Sequence, residues 1–292
     1  MNARLAAVRG RLDAYEKLVR LDKPIGILLL LWPTLWAVWI AWEGKPDPGV
    51  LAIFILGTVL MRSAGCVMND MADTRFDAHV ARTRNRPLVT GAVSKREALI
   101  LAAVLVLLAF ALVLFLNRAA IALSFAALAL AATYPFTKRF LALPQAYLGV
   151  AFGFGIPMAF AARYGGVGLI AWWLLIANIF WAIAYDTEYA MVDRDDDIKL
   201  GMRTAAITFG RLDVAAVMVC YALTLGMLAY TGMRLGFGLP YALGLCAAVL
   251  IMIYHYWLIR GRDRDRCFKA FLNNNWVGAA IFAGIVAEYL LR

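Results

Sequence analysis

The chain has 292 residues, of which 64% are hydrophobic and only 16% charged, and its mean hydropathy is +0.75. Soluble domains carry roughly 45–50% apolar and about 25% charged residues, so the composition excludes a water-soluble enzyme and a disordered chain and leaves a polytopic membrane protein. A net charge of +10 on so apolar a chain belongs to basic loops beside a bilayer rather than to a nucleic-acid surface.

A bilayer core of about 30 Å takes roughly 20 apolar residues per helix. In chain order the apolar runs predict nine spans, at 24–42, 49–68, 98–116, 119–135, 142–162, 167–186, 212–231, 236–259 and 270–291. The expected fold is an all-α bundle of about nine transmembrane helices forming one domain over 1–292. Ahead of the first span, segment 1–22 is basic. Leu5, Val8, Leu12, Tyr15 and Val19 recur there at helical spacing, which predicts a short helix lying in the membrane surface. The run from Ile25 to Trp42 contains Pro33 and lacks a small-residue cleavage site, so it reads as a first span and not as a cleaved signal. Asp13, Glu16 and Asp22 before it speak against a mitochondrial presequence and favour a bacterial inner membrane. Cys66, Cys220, Cys246 and Cys267 show no CxxC spacing, which disfavours a disulfide framework or a zinc site.

Lys and Arg concentrate in the N-terminal segment and the even-numbered loops. The opposite side holds only Lys45, Arg118, Arg163, Arg234 and Arg292. The positive-inside rule then places the N-terminus and the even-numbered loops in the cytoplasm.

Two segments on that side, 69–97 and 186–213, gather acids and are read as cytoplasmic cap loops around an active site. If the second span continues as helix, Asp70, Asp73 and Asp77 fall within about 60° of one face at 100° per residue. Asp186, Asp193 and Asp197 fall within about 40° by the same arithmetic, while Asp195 points the opposite way. Stacked carboxylates repel one another, so a cation belongs between them. Oxygen ligands without His or Cys select Mg²⁺ or Ca²⁺, and Mg²⁺ commonly completes its shell with water and a substrate phosphate. His79 and His255 are too few and too far apart in sequence for a histidine metal centre. The plainer alternative is a solvated acidic face balanced by neighbouring arginines.

A diphosphate also needs cationic side chains, and Lys138, Arg139, Lys199 and Arg203 sit on the same side. Arg62 lies inside the second span, about two turns before Asp70, where a guanidinium needs a carboxylate or phosphate partner. An internal ion pair with one of the aspartates is its structural alternative. Tyr134, Tyr147, Tyr185 and Tyr189 fall near the acidic segments. They suit either an interfacial aromatic belt or the shelter of a cationic transition state.

The stretches Asn69-Asp70-x-x-Asp73-x-x-x-Asp77, followed by Arg82-x-Arg84-x-Arg86-Pro87-Leu88, and Tyr185-Asp186-x-x-Tyr189-Ala190-x-x-Asp193-Arg194-x-Asp196-Asp197 resemble the two signatures of the UbiA-type intramembrane prenyltransferases. RLDKPIGILLLLWPTLWA at 20–37, TYPFTKR at 133–139 and CFKAFLNNNWVG at 267–278 are most similar to the 4-hydroxybenzoate polyprenyltransferase group of that family. The resemblance runs nearly end to end. It implies a helical bundle around a cavity that opens sideways into lipid, and Mg²⁺-dependent transfer of a polyprenyl group from polyprenyl diphosphate to the ring carbon ortho to the hydroxyl of 4-hydroxybenzoate. The product would be a ubiquinone precursor. It further implies Mg²⁺ at Asp73, Asp77, Asp193 and Asp197 with Asn69, Asp70 and Asp186 in support. Lys138 and Tyr134 would lie at the diphosphate, and Arg62 in the acceptor pocket, with Tyr189 expected beside it. Other acceptors in the same family, a CDP-alcohol phosphotransferase and a cation-coupled transporter are the competing readings. A transporter would place its acids near the midplane, whereas these acids sit at the cytoplasmic ends of their spans.

Overall fold

The structure is a computed structural model that describes residues 3–78, 83–137 and 139–292. His79, Arg82 and Lys138 lie outside the described residues. Among the described residues the regular structure is entirely helical: α1 (Ala3–Leu18), α2 (Ile25–Ala41), α3 (Pro48–Asp77), α4 (Lys95–Val113), α5 (Arg118–Thr137), α6 (Pro144–Gly153), α7 (Gly155–Tyr164), α8 (Leu169–Leu200), α9 (Ala205–Phe209), α10 (Asp213–Leu235), α11 (Leu239–Ile259) and α12 (Arg264–Leu291), with one 3₁₀ turn at Gly210–Leu212. Eight stretches are long and apolar enough to cross a membrane, α6 and α7 counting as one, and the apolar α2 is shorter at 17 residues. At 1.5 Å per residue α2 is about 26 Å long, close to the thickness of a bilayer core. These passes stand where the apolar runs place them. Leu107 on α4, Phe125 on α5 and Leu250 on α11 are exposed by 66%, 58% and 69%, an apolar outer face suited to lipid.

Two passes are longer than the apolar runs alone suggest. The second and sixth spans continue as α3 to Asp77 and as α8 to Leu200, so much of the acidic stretch expected as loop is helix. Residues 69–77 and 186–200 contain no proline or glycine, and Asp47 starts α3 by accepting from the amides of Gly49 and Val50 at 2.8 and 3.1 Å. Gly201 ends α8 at φ +65°, a left-handed conformation that glycine adopts without strain. The reversal turns Met202, Arg203 and Thr204 back toward the acidic face of α8. The fifth pass breaks at Phe154 because Pro157 has no amide to donate to Gly153 and its ring crowds that carbonyl.

Contacts stitch both ends of the bundle. At the acidic end Arg11 pairs with Glu97 of the Ser94–Glu97 capping box that starts α4. There too the buried Asp213 receives Arg194 of α8 at 3.0 Å and Arg262 at 2.6 Å. At the far end Asn117 donates to the carbonyls of Ala161 and Ala162 at 2.7 and 2.9 Å, and Glu288 accepts from the Gly238 amide at 2.9 Å. The C-terminal half of α1 docks through Ala14, Leu18 and Val19 onto Val67, Leu88, Val93 and Ala98. Leu5, Val8 and Leu12 remain exposed. Val19 therefore leaves the expected surface stripe, because the chain turns sharply at Arg20, whose φ is +61°.

The core sits around α8, where Ala171, Leu174, Ala177, Trp181, Ala182 and Ala184 are wholly buried. Between α8 and α10, α11 and α12 lies a buried polar network. Tyr221 Oη lies 2.9 Å from Glu188 Oε1, 2.9 Å from His255 Nδ1 and 3.0 Å from Asn274 Oδ1. Asn274 Nδ2 donates to Glu188 Oε2 at 2.8 Å, and Trp181 Nε1 donates to Asn274 Oδ1 at 2.9 Å.

Candidate functional site

Helical continuity through Asp77 and through Leu200 brings the two acidic stripes onto one cavity of about 200 Å³. Asn69, Asp73 and Asp77 line it from α3, and Asp186, Asp193 and Asp197 from α8. Asp195 turns the other way, its side chain 72% exposed and paired with Arg264 at 2.9 Å. Asp70, Asp73 and Asp77 are only 2%, 2% and 7% exposed, and buried carboxylates need cationic partners. Arg20 donates from Nη2 to both oxygens of Asp70 at 3.0 Å. Arg86 reaches Asp70 at 2.9 Å and Asp77 at 2.5 Å. Asp70, expected among the metal-supporting residues, is thus the carboxylate that two arginines hold.

Of the other cations expected here, Arg203 lines the small cavity, with Nη1 on the Phe140 carbonyl at 2.8 Å. Arg139 lies at the surface, donating to the Ala72 carbonyl at 3.1 Å, and Lys199 is 77% exposed and 4.0 Å from Asp196. Neither lines the small cavity. Arg20, Arg86 and Gln145 line the site without having been singled out. The two arginines stand inside stretches that carry the family resemblance, and that was their signal. Gln145, whose Oε1 accepts from the Ala205 amide at 3.0 Å, comes to the site through the packing of α6 on α8.

The donors along the small cavity are hard oxygens with no His or Cys, the set that suits Mg²⁺. No three acidic, His or Cys side chains among the described residues gather closely enough to hold an ion by themselves.

A second cavity, of about 1150 Å³, joins this region at Asn69, Asp186, Tyr134 and Tyr189. Its far part runs between α3, α4 and α5 along Phe54, Phe110, Val113 and Leu128, and the exposed Leu107 and Phe125 mark where it opens sideways. Tyr185, Tyr189 and Phe271 form an aromatic wall, with Tyr189 stacked on Phe271 at 4.5 Å. Arg62 lies in this chamber. Its hydrogen bond runs to Cys66 Sγ, the Phe152 ring centroid is 5.9 Å from its Cζ, and its buried Nε has no hydrogen-bond partner among the described residues. The internal pair with an aspartate is not what holds it.

The arrangement can therefore grip a polyanion between two acidic helices through divalent ions while an apolar chain lies in the adjoining chamber. Comparisons with known proteins agree with it. The chain is 65% identical over 286 residues to a 4-hydroxybenzoate octaprenyltransferase of Methylobacillus flagellatus, covering 98% of this chain and 97% of that one. It is 66% identical over 281 residues to the protein so named in an Azoarcus species, covering 96% and 98%. A UbiA homolog from Aeropyrum pernix superposes with a TM-score of 0.78 at 28% identity over 88% of this chain and 96% of that one. A UbiA homolog from Archaeoglobus fulgidus bound to GPP and Mg²⁺ shares the fold, with a TM-score of 0.72 at 18% identity over 93% and 99%. Residues 30–279 match the UbiA prenyltransferase family, and with both acidic helices inside that span the chain belongs to this family of multi-pass membrane proteins.

Proposed function

We infer that the chain transfers a polyprenyl group from polyprenyl diphosphate to the carbon ortho to the hydroxyl of 4-hydroxybenzoate. The product is 3-polyprenyl-4-hydroxybenzoate, a ubiquinone precursor. The observation that carries the reading is the junction of an acidic, cation-ready cavity with an apolar chamber that contains a buried, incompletely partnered arginine. The name shared by relatives of about two-thirds identity supports it, as does the structure of a homolog bound to GPP and Mg²⁺.

In this reaction the allylic C–O bond breaks, diphosphate departs with the bonding pair, the ring carbon forms the new C–C bond, and the ring proton passes to the departed diphosphate or to a neighbouring carboxylate. Bound Mg²⁺ would neutralise charge on the departing diphosphate. Asp73 and Asp77 would hold one ion and Asp193 and Asp197 the other, with Asn69 and Asp186 beside them. Asp70 would support Asp77 through the Arg86 they share. Lys138, Tyr134 and Arg203 are proposed at the diphosphate, while Arg139 and Lys199 add positive potential at the rim. Tyr185, Tyr189 and Phe271 would keep water from the allylic cation and offer it their ring faces. Arg62 would hold the benzoate carboxylate, with Tyr189 flanking the ring. The whole chain would act as one prenyltransferase domain in a bacterial inner membrane, its N-terminus and acidic end cytoplasmic.

Product analysis tests the reading: purified protein receives 4-hydroxybenzoate, a polyprenyl diphosphate and Mg²⁺. A ring-prenylated acid is expected. Release of prenol and diphosphate with no C–C product, or prenylation only of a non-benzoate acceptor, refutes it.

A further inference from the structure

The seat of Arg62 is built as specifically as its charge. The guanidinium lies against three groups: Cys66 one turn further along α3, the Phe152 ring, and the backbone of Gly26 in the first turn of α2. Gly26 is buried and has no positive φ, so its backbone conformation does not call for glycine. Glycine in a helix interior is less favourable than alanine, because it gives up more backbone freedom. Space is what calls for it. A Cβ built on Gly26 would fall 2.7 Å from Arg62 Nε, 2.8 Å from Cζ and closer still to Nη2, so even a methyl group would expel the guanidinium from its place. The clashing atoms are the far end of a flexible side chain, and Gly26 itself lines the large chamber.

We propose that Gly26 is a specificity-determining position for the acceptor: its bare backbone fixes where the Arg62 guanidinium sits, and thereby where an anionic acceptor group binds. The inference rests on the acceptor role of Arg62. It adds that the carboxylate subsite is shaped from α2 as well as from α3. A side chain at position 26 shifts the charge without touching the acidic cavity, so the loss falls on the anionic acceptor and not on the diphosphate. A neutral acceptor analogue has no carboxylate to lose.

The test uses the full chain in detergent, with Gly26→Ala and Arg62→Lys made separately and together. Each variant is assayed for its benzoate KM, its polyprenyl diphosphate KM, its inhibition by neutral 4-hydroxybenzamide, and its thermal unfolding. Gly26→Ala should unfold close to the parent temperature and raise the benzoate KM at least tenfold. The donor KM and the benzamide inhibition constant should move less than threefold. The double variant should resemble the worse single one, because both act through one contact. Parent-like benzoate KM in Gly26→Ala, a loss falling on the donor, equal losses for benzoate and benzamide, or multiplying effects in the double variant would each overturn the inference. Loss of folded protein would overturn it too, since the guanidinium and not α2 is held to give way. The Arg62→Lys arm separates the two failures. If it raises the benzoate KM while Gly26→Ala does not, only the role of Gly26 falls. If it leaves the benzoate KM unchanged, the acceptor reading of Arg62 falls and this inference with it.

Discussion

Arg20 donates to both carboxylate oxygens of Asp70 from a backbone held at φ +61°. A left-handed backbone costs an L-residue roughly 1–2 kcal/mol, and here the pair with a buried acid offsets that cost. The side-chain and backbone contributions can be separated by substitution. Arg20→Ala and Arg20→Gly both remove the pair, leaving Asp70 to Arg86, while only glycine relieves the backbone. Both variants should unfold earlier than the parent in detergent, with the glycine variant more stable than the alanine variant by about 1 kcal/mol. Identical unfolding curves for the two would show that position 20 carries no strain.

Asp193 and Asp195 stand two residues apart on α8 and face opposite ways, one into the small cavity and the other onto Arg264. Asp193→Ala is expected to lower the turnover rate at least about 10²-fold, the scale for removing one electrostatic stabiliser of a developing charge. Asp195→Ala should stay within a few-fold of the parent, because an exposed ion pair contributes little. Prenyl transfer measured at saturating substrates decides between them. Equal losses would mean that the face of α8 does not set function.

Both acidic stripes were legible because helical periodicity is local: acids three, four or seven residues apart share a face whatever surrounds the helix. That the helices would run past the apolar limit to Asp77 and Leu200 was less legible. Hydropathy marks where lipid ends and says little about where hydrogen bonding does. Arg86 was visible in its basic run, but its bridge between Asp70 and Asp77 depends on how the α3–α4 connection folds back. Arg20 looked like a topology charge. Its reach to Asp70 depends on a left-handed turn that only the docking of α1 explains. The Glu188 network was hidden for a different reason. Glu188 is two residues from Asp186 yet faces the other side of α8, and its partners lie on α10, α11 and α12.

Divalent ions should act on stability as well as on rate. Activity is expected to vanish with chelator and to return with Mg²⁺ but poorly with Zn²⁺, which favours nitrogen and sulfur ligands. A ligand that binds only the folded state raises its unfolding temperature with concentration. Mg²⁺ with inorganic diphosphate should therefore stabilise the parent in a thermal scan and fail to stabilise Asp73→Ala. Full turnover in excess chelator, or equal stabilisation of both proteins, would remove the metal from the acidic cavity.

The hydrogen-bond network between α8 and α10, α11 and α12 should depend on the continuity of its bonds. Asn274 occupies its centre: its Nδ2 serves Glu188 Oε2, its Oδ1 accepts from Trp181, and its chain neighbour Asn275 lines the substrate chamber and accepts from Trp32 at 2.8 Å. Glu188, His255 and Asn274 are wholly buried. Asn274→Ala would leave Trp181 Nε1 and Glu188 Oε2 without these partners, and each such buried group costs about 1–3 kcal/mol. Glu188→Gln keeps the shape, and the amide can still accept from Asn274 while donating to Tyr221, whose hydroxyl can turn to Asn274 Oδ1. The asparagine variant should therefore lose about 2–5 kcal/mol of stability, and the glutamine variant less than about 1 kcal/mol. Trp181 also packs edge-on against Tyr185 of the aromatic wall, with ring centroids 5.4 Å apart. Asn274→Ala should accordingly raise the KM for substrates in the chamber at temperatures where the variant is still folded, while Glu188→Gln leaves it near the parent value. Thermal unfolding in detergent and steady-state kinetics at low temperature read the two effects separately. If Glu188→Gln is as damaging as Asn274→Ala, the carboxylate itself, rather than the continuity of the hydrogen bonds, holds α8 to α10, α11 and α12.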